Sequence, residues 1–209
     1  MALIADLPAT VPLFPLQGAV LMPRARLPLN IFEPRYLQML EDVLKSGHRL
    51  IGMVQPLGAG LAQVGMAGRV AAFTETEDGR MMISLRAVSR FRLGEVEEGF
   101  APYLRGRVAW DGFGADRSAT AEEDLHFDRE DFMARLHRFM KARDLSTEWR
   151  AAEEADDEML INALAMLLPF EAEDKQALLE APTLSDRRAL LDGLMEFALH
   201  GGAREETLQ

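Results

Sequence analysis

The chain has no cysteine and only three lysines, Lys45, Lys141 and Lys175. Without cysteine there is no disulfide, no thiol nucleophile and no thiolate ligand for zinc. The opening residues have no basic side chain before Arg24, which argues against a secretory signal. No apolar run approaches the ~20 residues of a membrane-spanning helix. We therefore expect a cytoplasmic protein that has no membrane partner.

The motifs of common hydrolases are also missing. A phosphate-binding loop of the form G-x-x-x-x-G-K-[ST] is absent, because only Lys45 is followed by serine and Leu44 precedes it. Lys45 and Ser46 are adjacent and fit the end of a helix better than a catalytic dyad. No H-x-x-x-H pair occurs among the four histidines. The sequence thus predicts no catalytic, cofactor or metal site; a hydrolase with unfamiliar motifs is the remaining enzymatic alternative.

Composition and charge divide the chain near residue 115. Thirteen of the 16 glycines and eight of the 10 prolines lie before that point, which favours strands and turns there and helices afterwards. Residues 1–115 have 12 basic and 11 acidic side chains, whereas residues 116–209 have 11 and 23. The acidic second region disfavours nucleic acid and anionic membranes as its partners.

The first region, residues 1–115, reads as a barrel or half-barrel of about seven strands with one helix. Strands are predicted at residues 11–16, 18–22, 49–54, 70–73 and 80–85, with further alternation around residues 90–93 and 103–110. The Asp-Gly pair at residues 78–79 predicts a tight hairpin turn. The helix is predicted to open at Pro34 and to stop at Gly47.

The second region reads as a helical bundle over residues 125–202, after an acidic linker at residues 121–124. Asp128 is predicted to cap the first helix, and Thr183 has the spacing of a capping box. The next helix, ended by Pro169, should turn an apolar stripe inward that includes Met159 and Leu167. Gly201-Gly202 is expected to close the last helix, and residues 203–209 should form a disordered tail.

Several segments resemble the N-terminal, substrate-recognition domain family of Lon proteases. They are LFPL at residues 13–16, VLMP at 20–23, LPLNIFEPRY at 27–36 and ML at 39–40, with weaker likeness extending to about residue 200. The resemblance implies an α+β fold: a PUA-like mixed pseudo-β-barrel followed by an α-helical bundle. It is to short bacterial members that consist of this domain alone, without the ATPase and protease domains.

The resemblance also implies a role. The chain is expected to be a non-catalytic module that binds proteins or unfolded peptide segments. An adaptor in protein quality control that works with a protease is one such role. Strand edges carrying proline could accept a peptide by strand addition. The candidate contact residues are all aromatic: Phe32, Tyr36, Trp110, Phe113 and Trp149.

Two alternatives to this interpretation remain open, one for the aromatic residues and one for the function. Phe32 and Tyr36 are four apart at a helix start and could instead fasten that helix to the barrel. A basic cluster on predicted strands offers a second function, RNA binding through the barrel, with Tyr103 nearby for stacking. Its members are Arg86, Arg90, Arg92, Arg105 and Arg107. The other interpretation of this cluster is a solvated strand face, or a surface that docks the acidic helical region.

Overall fold

The computed structural model describes residues 7–99 and 101–205, with side chains up to His200. Contacts divide the chain into two compact units, Met1–Ala119 and Thr120–Gln209. The first unit is rich in strands and the second is helical, so the expected α+β class is confirmed. No helix in the described ranges is long and apolar enough to cross a membrane.

Eight strands and one helix, α1, make up most of the first unit. The helix α1 covers Pro34–Lys45. The strands are β1 (Thr10–Pro15), β2 (Arg26–Ile31), β3 (Leu50–Val54), β4 (Pro56–Leu57), β5 (Gly60–Leu61), β6 (Val64–Glu75), β7 (Met81–Glu97) and β8 (Arg105–Ala109). The main sheet has the order β2-β7-β6-β3-β1-β8, and β8 also pairs with β7. That extra pairing closes a mixed barrel and leaves β2 as a flanking strand on β7.

The barrel core forces close backbone approach. Val11, Leu13, Leu50 and Phe91 pack together with less than one tenth of their surface exposed. A Cβ added at Gly65 would lie 2.5 Å from the Phe91 ring, closer than real Cβ atoms come to other heavy atoms. Glycine at this point of β6 therefore lets the aromatic ring fill the barrel interior.

The long hairpin of β6 and β7 leaves the barrel at its far end. The first five residues of β6 are buried on both faces, whereas its last five are exposed on both faces. The hairpin turns through Glu77–Gly79, and Gly79 has a φ of 78°, which suits glycine. The predicted Asp-Gly turn is confirmed, and the end of the hairpin forms a ribbon that reaches into solvent.

In this unit one predicted strand is absent, and one observed strand was not predicted. Residues 18–22 form no strand, although Val20, Leu21 and Met22 are buried. A short apolar run reads the same whether it is a strand or a buried irregular segment. The strand β2, at Arg26–Ile31, was not predicted; its central Pro28 is a residue that sheets accept only at edges, strand ends and bulges.

The second unit has five helices within its described residues, and the first of them is capped as predicted. They are α2 (Arg129–Ala142), α3 (Trp149–Glu154), α4 (Asp157–Leu167), α5 (Ala172–Glu180) and α6 (Leu184–Glu205). The Asp128 carboxylate accepts from the N–H of Asp131 at the start of α2. Thr183 accepts from the N–H of Asp186 at 3.1 Å, as its capping-box spacing predicted. The short α3 was not predicted.

The inward face of α4 agrees with the prediction at Leu160, which is buried, but differs at other positions. Met159 is 60% exposed and Leu167 is 78% exposed, whereas Ile161 and Ala165 are buried. The buried guanidinium of Arg187 donates to the Asn162 side chain at 2.9 Å, and this contact turns the Asn162 side of α4 inward. A stripe chosen by hydrophobicity alone misses a face that is fixed by a buried polar contact.

The end of α6 also differs from the prediction. The helix continues through Gly201-Gly202 to Glu205, so these glycines do not close it. Residues 203–205 of the predicted tail are helical, and residues 206–209 lie outside the described residues.

Candidate functional site

Large exposed apolar side chains of the first unit gather where the β6–β7 ribbon leaves the barrel. They are Phe32, 59% exposed, Phe73, 51% exposed, and Met82, 42% exposed. Met82 lies directly opposite Thr74 of β6 and Asn30 of β2. Since directly opposed residues share a face of a sheet and neighbours alternate, Met82 and Phe73 lie on opposite faces of the ribbon.

Phe32 extends the face that carries Met82. It directly follows β2, two residues beyond Asn30, and its ring lies 5.6 Å from the Arg80 guanidinium. We call the side of β2–β7–β6 that carries Asn30, Met82 and Phe32 the outer face. Phe73 lies on the other side of the ribbon.

One edge of β2 is open. The N–H of Ala87 donates to the Ala25 carbonyl at 3.0 Å, immediately before the pair of Arg26 with Arg86. Bonded and non-bonded pairs alternate in an antiparallel ladder, so the peptide groups of Arg26, Pro28 and Asn30 point away from β7. No described strand pairs with that side of β2. Pro28 occupies an outward position, where its missing N–H costs no bond to β7.

A row of three arginines crosses the outer face. Arg26 lies directly opposite Arg86, which lies directly opposite Arg69 on the next strand. All three are exposed, and none of their side chains makes a hydrogen bond or ion pair with any residue that the structure describes. Like charges placed directly opposite each other destabilise a sheet. Among the described residues the row is therefore a positive site without a counter-charge, and it lies four residues along β2 and β7 from Asn30 and Met82.

The predicted basic cluster does not exist as one surface, and Arg90 has to be removed from it. Arg90 is 2% exposed. Its guanidinium donates to both carboxylate oxygens of Asp116, at 2.9 and 3.0 Å, and its backbone N–H donates to the same carboxylate. Asp116 lies in a 3-10 helix at Gly114–Arg117. Arg90 and Asp116 therefore form a buried structural ion pair. The alternation of residues along β7 did not predict that Arg90 is buried.

The other predicted arginines are dispersed. Arg92 is exposed and lies 5.6 Å from the ring of Phe113. Arg107 lies beside Glu95 and Glu97, at 3.7 and 3.6 Å. Arg105 pairs with Glu97 in the sheet register, near the opposite end of β7 from Arg86. Of the predicted cluster, only Arg86 belongs to the arginine row.

Of the five predicted aromatic contacts, the outer face contains only Phe32. Tyr36 packs edge-on against Phe14, with ring centres 4.3 Å apart, so it is Tyr36 that fastens α1 to β1. Trp110 donates to the Pro8 carbonyl at 3.0 Å, and Phe113 is buried beneath Arg90 and Arg92.

In the second unit, Trp149 stacks on His137 with ring centres 3.5 Å apart. Within the first unit, the predicted aromatic residues therefore do not converge on one surface, and Trp149 belongs to the second unit.

A cavity of about 290 Å³ lies beside α1, β1 and β8. The Tyr103 hydroxyl donates to Asp42 at 2.8 Å; burial and this contact raise the pKa of Tyr103 to about 12. Ser46 donates to the Val43 carbonyl and accepts from the Arg49 N–H, which confirms its role at the helix end. These contacts hold the walls of the cavity together and provide no paired nucleophile and base.

Arg26, Arg69 and the open edge were missed by sequence reasoning. A usable signal was present in RLPLNI, where polar or proline residues alternate with Leu27, Leu29 and Ile31. That alternation predicts a strand with one wet face. The alignment of Arg69 with it depends on the pairing of β6 with β7, which crosses a β-bulge between Val70 and Ala72.

Comparison with known proteins identifies the family. The family model for the substrate-binding domain of ATP-dependent protease La (Lon) matches residues 10–196. The chain belongs to the Lon substrate-binding domain family. The matched model describes that domain and not the ATPase or protease domains of Lon.

Relatives and solved structures agree with this assignment. Lon protease 1 of Bdellovibrio bacteriovorus is 29% identical over 194 residues, which cover 89% of this chain and 24% of that protein. A crystal structure of a Lon N-terminal domain protein from Xanthomonas campestris has a TM-score of 0.62 at 25% identity, covering 90% of this chain and 98% of the other. The N-terminal domain of a Mycobacterium avium complex Lon protease shares the fold, with a TM-score of 0.65, 14% identity and the same coverage.

Proposed function

We propose that this protein binds extended, non-native segments of other proteins on the outer face of β2–β7–β6. The observation that carries the proposal is the open edge of β2 beside exposed Phe32 and Met82. An extended segment can add to such an edge through its backbone, while its side chains contact the neighbouring apolar groups. The family assignment supports a substrate-binding role of this kind.

Binding of this kind needs no cofactor and no chemical step on the bound chain. We propose that the protein acts as a non-catalytic adaptor or holding factor, which keeps non-native segments from associating or presents them to a protease. The RNA-binding alternative has lost its predicted patch, because Arg90 is buried and Arg107 lies beside two glutamates.

The test is fluorescence anisotropy with reduced, carboxymethylated lactalbumin as a permanently unfolded probe. Asn30→Pro removes an outward N–H and places a ring on the open edge, without removing a donor to β7. Asn30→Ala keeps the N–H and is its matched control. We expect binding to be lost in Asn30→Pro and retained in Asn30→Ala.

The apolar contribution is tested on the same probe. Phe32→Ala should weaken binding by about five- to thirtyfold, since burying one large side chain is worth about 1.5–3 kcal/mol and part of Phe32 is already covered. Phe73→Ala removes a comparably exposed ring from the opposite face and should bind as the parent does. Equal loss in the two phenylalanine variants, or unchanged binding in Asn30→Pro, would remove the outer face as the site.

A further inference from the structure

We infer that the preferred occupant of the outer face is a segment with an acidic residue and a large apolar residue four positions apart. This inference rests on the proposed function and specifies which segments bind. It follows from two features that share the outer face, the arginine row and the exposed apolar side chains of Phe32 and Met82, and from the distance between them.

The first step is the spacing along β2. Arg26 and Asn30 are four residues apart and lie on the same face, with Pro28 between them. At about 3.3 Å per residue, their rows lie about 13 Å apart. A strand added beside β2 has the same rise and alternation, so its residues opposite Arg26 and Asn30 are also four apart and share the outer face.

The second step is chemistry at the two ends. A carboxylate opposite Arg26 lies next to that guanidinium and within reach of the long side chain of Arg86. This carboxylate would form an ion pair with the row, whose arginine side chains have no acidic partner among the described residues. A large apolar side chain opposite Asn30 is diagonal to Phe32, a separation that aromatic side chains bridge.

The third step is the middle of the surface. Pro28 lies opposite Ser84 of β7, which in turn lies opposite Ala72 of β6. These are small side chains between the arginine row and Met82, so the central position of the bound segment has neither a charge nor a large ring to select it. Selectivity is therefore concentrated at the two ends, and a real functional site would explain why the sheet tolerates three aligned like charges.

The experiment compares matched peptides in an extended, threonine-rich host of about nine residues, which spans roughly 30 Å. The first peptide design carries glutamate and leucine four positions apart, and it is made with the two residues in either order along the chain. The control has the same composition with the two residues three apart, which places them on opposite faces. A third peptide has glutamine in place of glutamate.

We expect the four-apart peptide to bind about fivefold or more tightly than either control, as one to two exposed ion pairs can supply. Its advantage over the glutamine peptide should shrink as salt rises. Arg26→Gln, Arg69→Gln and Arg86→Gln combined should abolish that advantage. Arg105→Gln, which changes an exposed arginine outside the row, should leave it intact.

The outcomes separate this inference from the function beneath it. If all three peptides bind equally and Asn30→Pro still abolishes binding, the acidic-apolar preference is wrong and the strand-addition site stands. If no peptide binds, the acidic-apolar preference is wrong, and the lactalbumin measurement decides separately whether the strand-addition site stands. If oligouridine RNA binds the parent more tightly than the peptides and the triple arginine variant loses it, the row serves nucleic acid and the inference is overturned.

Discussion

Each unit holds a set of arginines, and these two sets use their charge in opposite ways. In the helical unit, five arginines have acidic partners: Arg129, Arg135, Arg138, Arg150 and Arg188. Among them, Arg188 contacts Asp124 at 2.6 Å and Asp192 at 3.2 Å. In the barrel unit, Arg26, Arg69 and Arg86 face each other across three strands and have no partner among the described residues.

This difference separates two uses of charge. Pairs that link helices contribute to folding when they are partly buried and hydrogen-bonded. An exposed row without acidic partners adds no favourable ion pair to the folded state and a little repulsion, but its positive charge remains available to attract a ligand.

The chain has two tryptophans, Trp110 in the barrel unit and Trp149 in the helical unit. The unfolding of each unit can therefore be followed separately by fluorescence.

The largest effect on stability is expected at Arg90, which is buried and paired with Asp116, unlike the exposed arginine row of the same unit. Arg90→Met leaves the Asp116 carboxylate buried without its cation. Removing one member of a buried pair costs about 3–5 kcal/mol of unfolding free energy. Urea unfolding in a Trp149→Phe background, followed through Trp110, measures it.

The matched double variant sharpens that result. Arg90→Met with Asp116→Leu removes both charges and should recover much of the lost stability, because no charge remains stranded. No recovery would contradict the ion pair as the source of the effect and would leave two causes, the packing of Arg90 on Phe113 and the lost backbone hydrogen bond from Arg90 to Asp116.

A smaller effect distinguishes the paired arginines from the unpaired ones. Arg188→Gln should destabilise the helical unit by about 1–3 kcal/mol, as expected for charge-assisted hydrogen bonds at a half-buried site. Arg86→Gln should change the stability of the barrel unit by less than about 0.5 kcal/mol, in either direction. Urea midpoints for both variants check this. A loss at Arg86 as large as that at Arg188 would contradict the comparison.

The smallest effect lies at the extremes of pH and should separate the units again. Burial raises the pKa of Asp124, but its bonds with Arg188, His126 and Ser185 outweigh this and lower it below 3.8. The helical unit should therefore lose stability in acid, as the pH falls below that value. Asp124→Asn should remove this acid dependence in a Trp110→Phe background.

The barrel unit should respond at the other end of the scale. The pKa of Tyr103 is raised from 10.0 to about 12, so its stabilising contribution is present below pH 10.0 and is lost between those values. Tyr103→Phe should flatten that alkaline decline. In Tyr36→Phe, the remaining tyrosine should show phenolate absorbance with a midpoint near 12.

Local signals in the sequence were sufficient for the elements that local chemistry defines. Pro34 and the apolar spacing behind it predicted α1, Asp128 predicted the start of α2, and residues 78–79 predicted the hairpin turn. Each depends on contacts within a few residues, such as a cap or a positive φ, and so can be recognised from a short window.

The candidate site depends on pairing between distant residues, which a single sequence does not reveal. Arg26 and Arg69 are 43 positions apart and meet only through Arg86 and a bulged strand. The burial of Arg90 depends on Asp116, 26 residues further on. Phe32 was predicted as a contact residue, but its neighbours on the outer face follow from the register of β2 on β7.

Pro28 has a consequence for how long a bound segment remains in place. It leaves a gap in the donors on the open edge of β2, which offers the N–H groups of Arg26 and Asn30 but none between them. A second β2 strand meeting this edge would find the same gap, so the edge is poorly suited to zipping into a growing aggregate. A bound segment would accept hydrogen bonds from β2 near its two ends and none at its middle. Such partial backbone pairing favours rapid exchange of bound segments.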